Sequence, residues 1–454
     1  MIPVTAEEVA TFANSTQKEV LFAVKSVVSV PDNERTFSNT MKPWNCLANA
    51  LLASLSTLYF TAENKLPSAV QAKEALNGLI GFLYGSIALN KDVHRAFLSY
   101  ADKALSNPAS IDSYQMYELN TVLATAQGLQ PMLSKEQKAT LERLVTLASK
   151  QPATPYLYKK GLAEEKEPDG PLTVLNLNTC FLPGKNPYFR GGAKPWEDRV
   201  HPLANTIIEH DPDIVCLQEV FAEDANEELY QALKNHYSHF YISIGTRPLG
   251  FALEQLGLPS GLLVASKYPV EAPRFAVFTV TGTAMNYGVF DFVVLGSEKT
   301  HIYTTHMKSL DEPESPETRA LQLQEIIDKA EADFSVSNET TPAFVCGDFN
   351  IPWGRGEPGE TLIRENFTDD YNKDRKVADA DACTCTDYYT DYFFQTNGIP
   401  LRVNYNFQII DYALLLKADK KHKLHTELIR MNHLSDPTEI ITDHNALFTI
   451  ISEN

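Results

Sequence analysis

Positive charge is scarce in this sequence. Its 39 Lys and Arg residues are outnumbered by 58 Asp and Glu residues, so the formal net charge is -19 at pH 7. Nonspecific binding to nucleic acid depends on clustered basic side chains that neutralise backbone phosphates, and an acidic surface repels those phosphates. The charge balance therefore disfavours a nucleic-acid-binding protein.

Cysteine is also rare, with six residues in a chain of 454. Their spacing does not resemble a secreted disulfide framework, and Cys216 and Cys346 lie in apolar runs typical of buried strands. This usage favours a reducing compartment. The pair Cys383-x-Cys385 could form half of a zinc site, but the sequence offers no second pair to complete it.

Long apolar runs are absent. No stretch of about 18 apolar residues runs unbroken, which predicts that the chain has no transmembrane helix. The N-terminus also lacks the basic start and apolar core of a signal peptide. The expected location is the cytoplasm, or outside the cell after export without a cleavable signal, with peripheral attachment to membranes left open.

Residues 1–150 have the pattern of an all-α helical bundle. Capping boxes at Thr5–Glu8 and Ser134–Gln137 indicate two helix starts, and apolar residues recur at helical spacing. This half contains one histidine, His94, and no cluster of potential metal ligands. It is interpreted as an accessory domain that could bind a protein partner. Helices are predicted at 43–60, 67–86, 91–106, 111–128 and 134–150.

Residues 151–170 are rich in Pro and charge and lack periodicity, which predicts a linker. Over residues 171–454, short runs of Val, Ile, Leu and Phe alternate with helical patterns. This alternation predicts an α/β domain of extended sheets covered by helices. Strands are predicted at 172–178, 213–218, 261–266, 274–280, 288–295, 301–306, 343–347, 408–416 and 446–452.

Five of these strands end or begin at polar residues suited to phosphate chemistry, and the apolar residues 408–410 run into a sixth such position, Asp411. One such ending is ordinary, whereas six in one domain indicate a shared site. The residues are Asn178, Gln218-Glu219, His306, Asp348-Phe349-Asn350, Asp411 and Asp443-His444.

The residue types fit the hydrolysis of a phosphoric ester with the help of magnesium. Mg²⁺ is a hard ion that takes oxygen ligands, and Glu219 and Asn178 offer a carboxylate and an amide oxygen. Asp348 can hold and polarise an attacking water. Each of the three residues follows an apolar run, at the point where a strand is expected to end.

Proton transfer and phosphate binding have candidates among the remaining motifs. His444 can exchange a proton near neutral pH, and a carboxylate such as Asp411 can fix its tautomer. Asn350 and His306 can donate hydrogen bonds to phosphate oxygens.

Taken in order, these motifs resemble those of the endonuclease/exonuclease/phosphatase superfamily. The resemblance covers about residues 171–454 and implies an α/β (α+β) four-layer β-sandwich, in which two packed sheets are flanked by helices and the site lies at the sheet ends. Its strongest motifs are Leu217-Gln218-Glu219-Val220, Gly347-Asp348-Phe349-Asn350, Ile410-Asp411-Tyr412 and Thr442-Asp443-His444.

The resemblance also implies a cofactor and a role for each residue. The cofactor is Mg²⁺, with Mn²⁺ or Co²⁺ as substitutes. Thr442 stands where the family commonly has Ser, and this change keeps the hydroxyl. The implied roles are metal binding for Asn178, Glu219 and Asp443, phosphate contact for His306 and Asn350, orientation of the water for Asp348, and general base or acid for His444, which Asp411 orients.

Within the superfamily, the sequence is most similar to the neutral sphingomyelinase branch of lipid phosphodiesterases. Asn178 is followed by Thr-Cys-Phe-Leu-Pro-Gly, and Glu219 is followed by Val and Phe221. Arg199 also has a counterpart in that branch. The resemblance implies substrate contacts for Arg199 and Phe221, although Phe221 could equally pack in the core.

A helix pattern after His306 carries Arg319 and Gln322 at the spacing found in the same branch. The alternative for this pair is a solvated helix face, because residues three apart share one side of any helix.

A lipid substrate requires apolar surface beside the site. The loop 182–196 carries Tyr188 and Phe189, and the segment 248–260 is rich in Leu. Both could contact a membrane or an acyl chain, or else fold back onto the core. The resulting hypothesis is a Mg²⁺-dependent, sphingomyelinase-like phosphodiesterase that hydrolyses a phospholipid head group. The alternatives are a nuclease of the same fold, a phosphoinositide-type phosphatase and an inactive scaffold.

Overall fold

The computed structural model describes two compact units, which adjoin in the sequence between Thr154 and Pro155. Among the residues it describes, no helix is both long enough and apolar enough to cross a bilayer. The described residues are 29–37, 91–128, 133–167, 169–181, 195–245, 260–280, 288–309, 313–337, 341–375, 382–385, 408–431 and 441–454, together with positions 25, 39 and 40.

The first unit contains three described α-helices, which pack around a shared apolar core. They are α1 (Lys91–Ser106), α2 (Ser113–Gly128) and α3 (Lys135–Ala148), and they confirm the last three predicted helices. Short 3₁₀ turns occupy Asp32–Glu34 and Pro108–Ser110.

The second predicted capping box is confirmed. The Ser134 hydroxyl accepts a hydrogen bond from the Gln137 amide, and the Gln137 side chain accepts one from the Ser134 amide. The helices predicted at 43–60 and 67–86, and the capping box at Thr5–Glu8, lie outside the described residues. The complete bundle therefore stays a prediction.

Two mixed β-sheets form the second unit, with helices α4 (Trp196–His210), α5 (Glu223–Leu233), α6 (Ser315–Val336) and α7 (Pro358–Asn366). The strands are β1 (Leu157–Lys160), β2 (Leu172–Phe181), β3 (Ile214–Val220), β4 (His239–Ile242), β5 (Leu263–Ser266), β6 (Val270–Val277), β7 (Gly288–Leu295), β8 (Lys299–His306), β9 (Ala343–Asp348), β10 (Phe367–Thr368), β11 (Asp411–Leu416), β12 (His422–Ile429) and β13 (Ala446–Glu453). One sheet has the order β1-β4-β5-β3-β2-β13-β12 and the other β10-β11-β9-β8-β7-β6.

Alternation along β2 shows how the layers arise. Val174 belongs to the core that the two sheets share, whereas Leu175 and Leu177 belong to the core with α4 and α5. Helix α6 contributes Ile326 and Phe334 to the core of the six-stranded sheet. Strands buried on both faces need apolar residues on both, which explains their continuous apolar runs. The predicted arrangement of packed sheets flanked by helices is confirmed for the described residues.

Strand direction brings the polar motifs to one edge. β2 and β3 are parallel, and Asn178 lies beside Gln218 near the end of this pair. β8 and β9 are also parallel, and His306 lies beside Asp348 where they end. β11 is antiparallel to β9 and sets Asp411 opposite Asp348. β13 is antiparallel to β2 and begins directly after the segment that carries His444.

The sequence does not predict strands β1, β4, β10 and β12. Leu157–Lys160 lies within the predicted linker but pairs antiparallel with β4 at a sheet edge. The linker prediction is therefore wrong for these four residues, which are too few to show periodicity. β12 alternates in burial, but its inward positions include His422 and Thr426 and therefore lack an apolar pattern.

A histidine joins the two sheets at the end remote from the polar edge. His422 lies 2.8 Å from Asp419 through Nδ1 and 2.7 Å from Glu298 through Nε2. Burial opposes the charged form, but hydrogen bonds to the two carboxylates raise the pKa of His422 above its ordinary value. The hydrogen bond to His422 in turn lowers the pKa of Glu298. A protonated His422 thus links β12 to the turn between β7 and β8.

We expect His422→Gln to destabilise the protein by about 2 kcal/mol at about pH 5.5, and by less as the pH rises. A raised histidine pKa contributes stability below its unfolded-state value of 6.5 and loses it as the pH passes the folded-state value. The lowered pKa of Glu298 contributes stability at pH values above its unfolded-state pKa of 4.5. Urea unfolding at several pH values measures the effect.

His425→Gln is the matched control, because His425 lies on the same strand with its side chain 64% exposed. We expect it to change the free energy of unfolding very little at any pH. A loss for His422→Gln that is equal in acid and in alkali would contradict the charged bridge.

Candidate active site

Asp348 lies at the centre of the polar edge and is 1% exposed. Its Oδ2 accepts a hydrogen bond from Asn178 Nδ2 at 2.9 Å, and its Oδ1 accepts one from the Asn350 amide at 2.9 Å. The Nε2 atoms of two histidines approach the same Oδ2, His306 at 3.7 Å and His444 at 3.9 Å. The sequence motifs at the ends or starts of four strands therefore meet around one carboxylate.

Two carboxylates of this edge have pKa values near neutrality. Burial and then the charge of Asp411 raise the pKa of Asp348 from 3.8 to about 7. Burial and then the charge of Asp443 raise the pKa of Glu219 from 4.5 to about 7. The edge therefore concentrates negative charge, and a bound cation would offset it.

Glu219 has a left-handed backbone, with a φ of 57°. The Val220 amide, which follows it, donates to the Gly261 carbonyl at 2.8 Å. Gly261 has a φ of +72°, and a Cβ at this position would lie 2.7 Å from the Phe221 ring and 3.1 Å from the Glu219 Cα. Glycine at 261 therefore provides the room in which the Glu219 turn fits.

Asp411 orients His444. The His444 Nδ1 lies 2.8 Å from Asp411 Oδ2, and the Thr384 hydroxyl accepts hydrogen bonds from the amides of Ile410 and Asp411. Burial opposes charge on His444, but the Asp411 carboxylate raises the pKa of His444 well above its ordinary value. The imidazole is thus held as a charged donor, with Nε2 towards Asp348.

The pKa of His306 is shifted in the opposite direction to that of His444. Burial and then the charge of His444 lower the pKa of His306 to about 3, so it is neutral near physiological pH. Its Nε2 lies 3.7 Å from Glu219 Oε1. The Phe221 ring packs beside it, with ring centroids 6.3 Å apart. The two site histidines therefore offer one neutral and one charged imidazole.

Possible metal ligands form two overlapping groups at this edge. Within each group, one ligand atom per residue lies within 4.8 Å of the others. The groups are Glu219, His306 and Asp348, and Asp348, Asp411 and His444.

A third group of possible ligands lies on the six-stranded sheet, remote from this edge. It comprises Asp291, His301 and Asp333. Arg274 forms ion pairs with both carboxylates, and Lys329 lies 3.3 Å from Asp291. Two cations offset the two carboxylates, so this cluster is a packing network between the sheet and α6.

Arg199, for which the sequence predicts substrate contact, is 1% exposed. Its guanidinium donates to the carbonyls of Thr179 at 2.8 Å, Ile441 at 2.7 Å and Cys180 at 2.5 Å. The contact of Arg199 with substrate stays a prediction, and the structure shows that Arg199 fastens the end of β2 to the residues before His444. It is a positioning residue.

Phe221 is 4% exposed and packs against His306, as the core-packing alternative predicts. Arg319 and Gln322 are also buried, which contradicts the solvated-face alternative. Arg319 pairs with Glu357, and Gln322 accepts from the Lys308 amide at 2.9 Å. Tyr188 and Phe189 lie outside the described residues, so their contact with substrate stays a prediction.

Three residues near the site have no predicted role. The Thr442 hydroxyl donates to the Asn178 carbonyl at 2.8 Å, and Thr384 holds the start of β11. Cys385 pairs with His444 as an isolated antiparallel β-bridge. The sequence carries one weak signal for the segment 382–385, the paired spacing Cys383-x-Cys385. That spacing indicates a metal site rather than hydrogen bonds to neighbouring backbone.

The model of the endonuclease/exonuclease/phosphatase family matches residues 175–419. Sphingomyelin phosphodiesterase 5 of Danio rerio is 28% identical over 176 residues, 35% of this chain and 32% of that protein. A putative neutral sphingomyelinase of Drosophila melanogaster is 22% identical over 192 residues, 39% of this chain and 39% of that protein. The matches thus span less than half the length of these curated relatives.

A solved structure of beta toxin from Staphylococcus aureus with bound magnesium ions is 18% identical. The match covers 62% of this chain and 100% of the toxin chain, with a TM-score of 0.43.

We expect Arg199→Lys to lower the free energy of unfolding by about 3 kcal/mol, because one ammonium cannot replace a guanidinium that joins two segments through three carbonyls. Urea unfolding measures the loss. Arg364→Lys is the control, since Arg364 is 51% exposed and pairs with Glu360 on its own helix. Its loss should stay below about 1 kcal/mol. Equal losses would refute the positioning role.

Proposed function

Because the chain belongs to the endonuclease/exonuclease/phosphatase family, we propose that its second unit is a Mg²⁺-dependent phosphodiesterase that hydrolyses a phospholipid head group, as a sphingomyelinase does. The observation that carries the proposal is the meeting of Glu219, Asp348 and the Asp411–His444 pair at one buried edge. Two carboxyl groups with pKa values near 7 beside a charged imidazole suit acid–base hydrolysis of a phosphoric ester.

The donor set fits a hard divalent cation. Glu219, Asp348 and Asp443 offer carboxylate oxygens, and Asn178 offers an amide oxygen. Burial and then the charges of neighbouring carboxylates raise the pKa values of Glu219 and Asp348, and a bound cation would balance those charges. Mg²⁺, with Mn²⁺ or Co²⁺ as substitutes, supplies positive charge for the phosphoryl oxygens when bound.

The chain's own residues supply the proton transfers. Asp348, with a pKa near 7, accepts a proton from the attacking water. His444 donates one towards the leaving oxygen through Nε2, because its Nδ1 is committed to Asp411. Neutral His306 and the side-chain amide of Asn350 can donate hydrogen bonds to phosphate oxygens without adding charge.

A lipid substrate is supported by the names of the two curated relatives and by the acidic charge of the chain. Nucleic acid is disfavoured because a net charge of -19 repels a phosphate backbone. A nuclease or a phosphoinositide-type phosphatase of the same fold would use the same chemistry at this edge. A membrane surface is the proposed partner of the second unit, and a protein partner is proposed for the helical first unit.

The substrate class can be tested with a panel of phosphoric esters in the presence of Mg²⁺. We expect release of phosphocholine from sphingomyelin vesicles and no cleavage of plasmid DNA. A chelator should abolish the release and added Mg²⁺ should restore it. Cleavage of DNA without release of phosphocholine would favour the nuclease and overturn the lipid proposal.

His444→Ala should reduce kcat by about 10²-fold or more, because general acid–base catalysis contributes that much. Asp411→Asn should also reduce kcat, and the double variant should lose little more, since the two residues act as a unit. The control is His425→Ala, a histidine outside the site that should retain normal turnover. Near-normal turnover of His444→Ala would refute its role.

A further inference from the structure

Helix α6 directs two buried polar side chains towards the segment that follows β8. Arg319 is 1% exposed and Gln322 is fully buried. Residues three apart lie on one face of a helix, so both can reach the same segment. A buried guanidinium and a buried amide are costly unless their hydrogen-bonding groups find partners, so the partners indicate what the two side chains hold.

Both side chains bind the backbone of Lys308, which follows His306 and Met307. Gln322 Oε1 accepts a hydrogen bond from the Lys308 amide at 2.9 Å, and Arg319 Nη1 donates to the Lys308 carbonyl at 3.4 Å. Gln322 Nε2 donates to a carbonyl beyond the end of β6, that of Val280, at 2.9 Å. The helix therefore fixes the chain where it leaves β8, the strand that ends at His306.

An ion pair joins the same helix to the loop that follows β9. Arg319 Nη2 lies 2.7 Å from Glu357 Oε1, and Arg319 Nε lies 3.2 Å from Glu357 Oε2. Two parallel contacts of this kind fix the direction of both side chains, which a single contact does not. Glu357 directly precedes α7, so the pair fixes the far end of the loop.

The near end of that loop is bonded to the backbone that follows His306. Asn350 Nδ2 donates to the Met307 carbonyl at 3.2 Å, and the Met307 amide donates to the Asp348 carbonyl at 2.9 Å. Asn350 has a left-handed backbone with a φ of 53°, which a residue other than glycine keeps only where its surroundings hold it. One connected set of contacts therefore places His306 and Asn350, for both of which contact with phosphate is proposed.

We propose that Arg319, Gln322 and Glu357 are positioning residues for catalysis. They set the His306 imidazole and the Asn350 side chain at the spacing that the transferring phosphoryl group requires. The inference rests on the proposed function. Because accurate positioning contributes mainly in the transition state, its loss should lower kcat more than it raises KM.

Arg319→Lys should lower kcat by about tenfold or more and change KM by less than about twofold. Lysine keeps the charge but cannot bond both Glu357 oxygens and the Lys308 carbonyl in one fixed geometry. Steady-state hydrolysis in the presence of Mg²⁺ measures both constants on the full-length protein. Arg364→Lys is the matched control and should keep the natural values, because Arg364 pairs with Glu360 at 2.7 Å and is 51% exposed. An Arg319→Lys enzyme with the natural kcat, or with a raised KM alone, would overturn the positioning role.

A double-variant cycle separates positioning from a general loss of stability. Gln322→Met removes two hydrogen bonds, keeps the length of the side chain and should lower kcat. In a His306→Ala background, the same substitution should lower the remaining kcat by less than about threefold, because the group that Gln322 positions is gone. The variants are compared at a temperature at which circular dichroism shows each to be folded. Losses that multiply in full would overturn the inference.

Hydrogen exchange tests the contact to Lys308 without any need for activity. The Lys308 amide loses its acceptor in Gln322→Met, so we expect the segment around it to exchange about tenfold faster. Gln324→Met is the control and should exchange as the natural protein does, because Gln324 bonds Asp328 on its own helix. Unchanged exchange around Lys308 in Gln322→Met would overturn the inference. A protein that hydrolyses no phosphoric ester but shows the faster exchange refutes the proposed function alone.

Discussion

The repulsion among carboxylates at one buried edge governs the rest of the second unit. Glu219, Asp348, Asp411 and Asp443 converge where parallel strand pairs end. Burial and then the charges of the neighbouring carboxylates raise the pKa values of Glu219 and Asp348 to about 7. A fold cannot hold such a cluster by the polar groups alone. It needs a rigid apolar frame, and the two sheets provide one through strands that are buried on both faces.

Much of the remaining polar chemistry holds this cluster in place. Arg199 donates hydrogen bonds to carbonyls at the end of β2 and in the residues before His444, and the Thr442 hydroxyl joins the same two segments. The Thr384 hydroxyl holds the start of β11. Each contact is made to backbone, so each fixes the path of the chain rather than the charge of the site. Asn178 and the Asn350 amide complete the arrangement by hydrogen bonds to Asp348.

The sequence predicted the strand ends well because a buried strand and a polar terminus are both local features. His306 and Asp348 were placed by their position after apolar runs, and parallel pairing then brought them together. The backbone contacts of Arg199 could not be predicted, because an arginine that binds carbonyls looks the same in sequence as one that binds phosphate. Short edge strands such as Leu157–Lys160 depend on a distant partner, so four residues carried no pattern of their own. The contacts of Thr384 and Cys385 are made to residues that are distant in sequence, so the spacing of residues along the chain cannot predict them.

The glycine at 261 has a consequence for how substitutions would be tolerated. Its left-handed backbone and the proximity of Phe221 and Glu219 leave no space for any side chain. In a saturation library selected for turnover, position 261 would therefore be as intolerant as Asp348 or His444, although it touches no reacting atom. A ranking of positions by intolerance to substitution alone would therefore place Gly261 among the catalytic residues. Gly261 differs from them because its intolerance is steric.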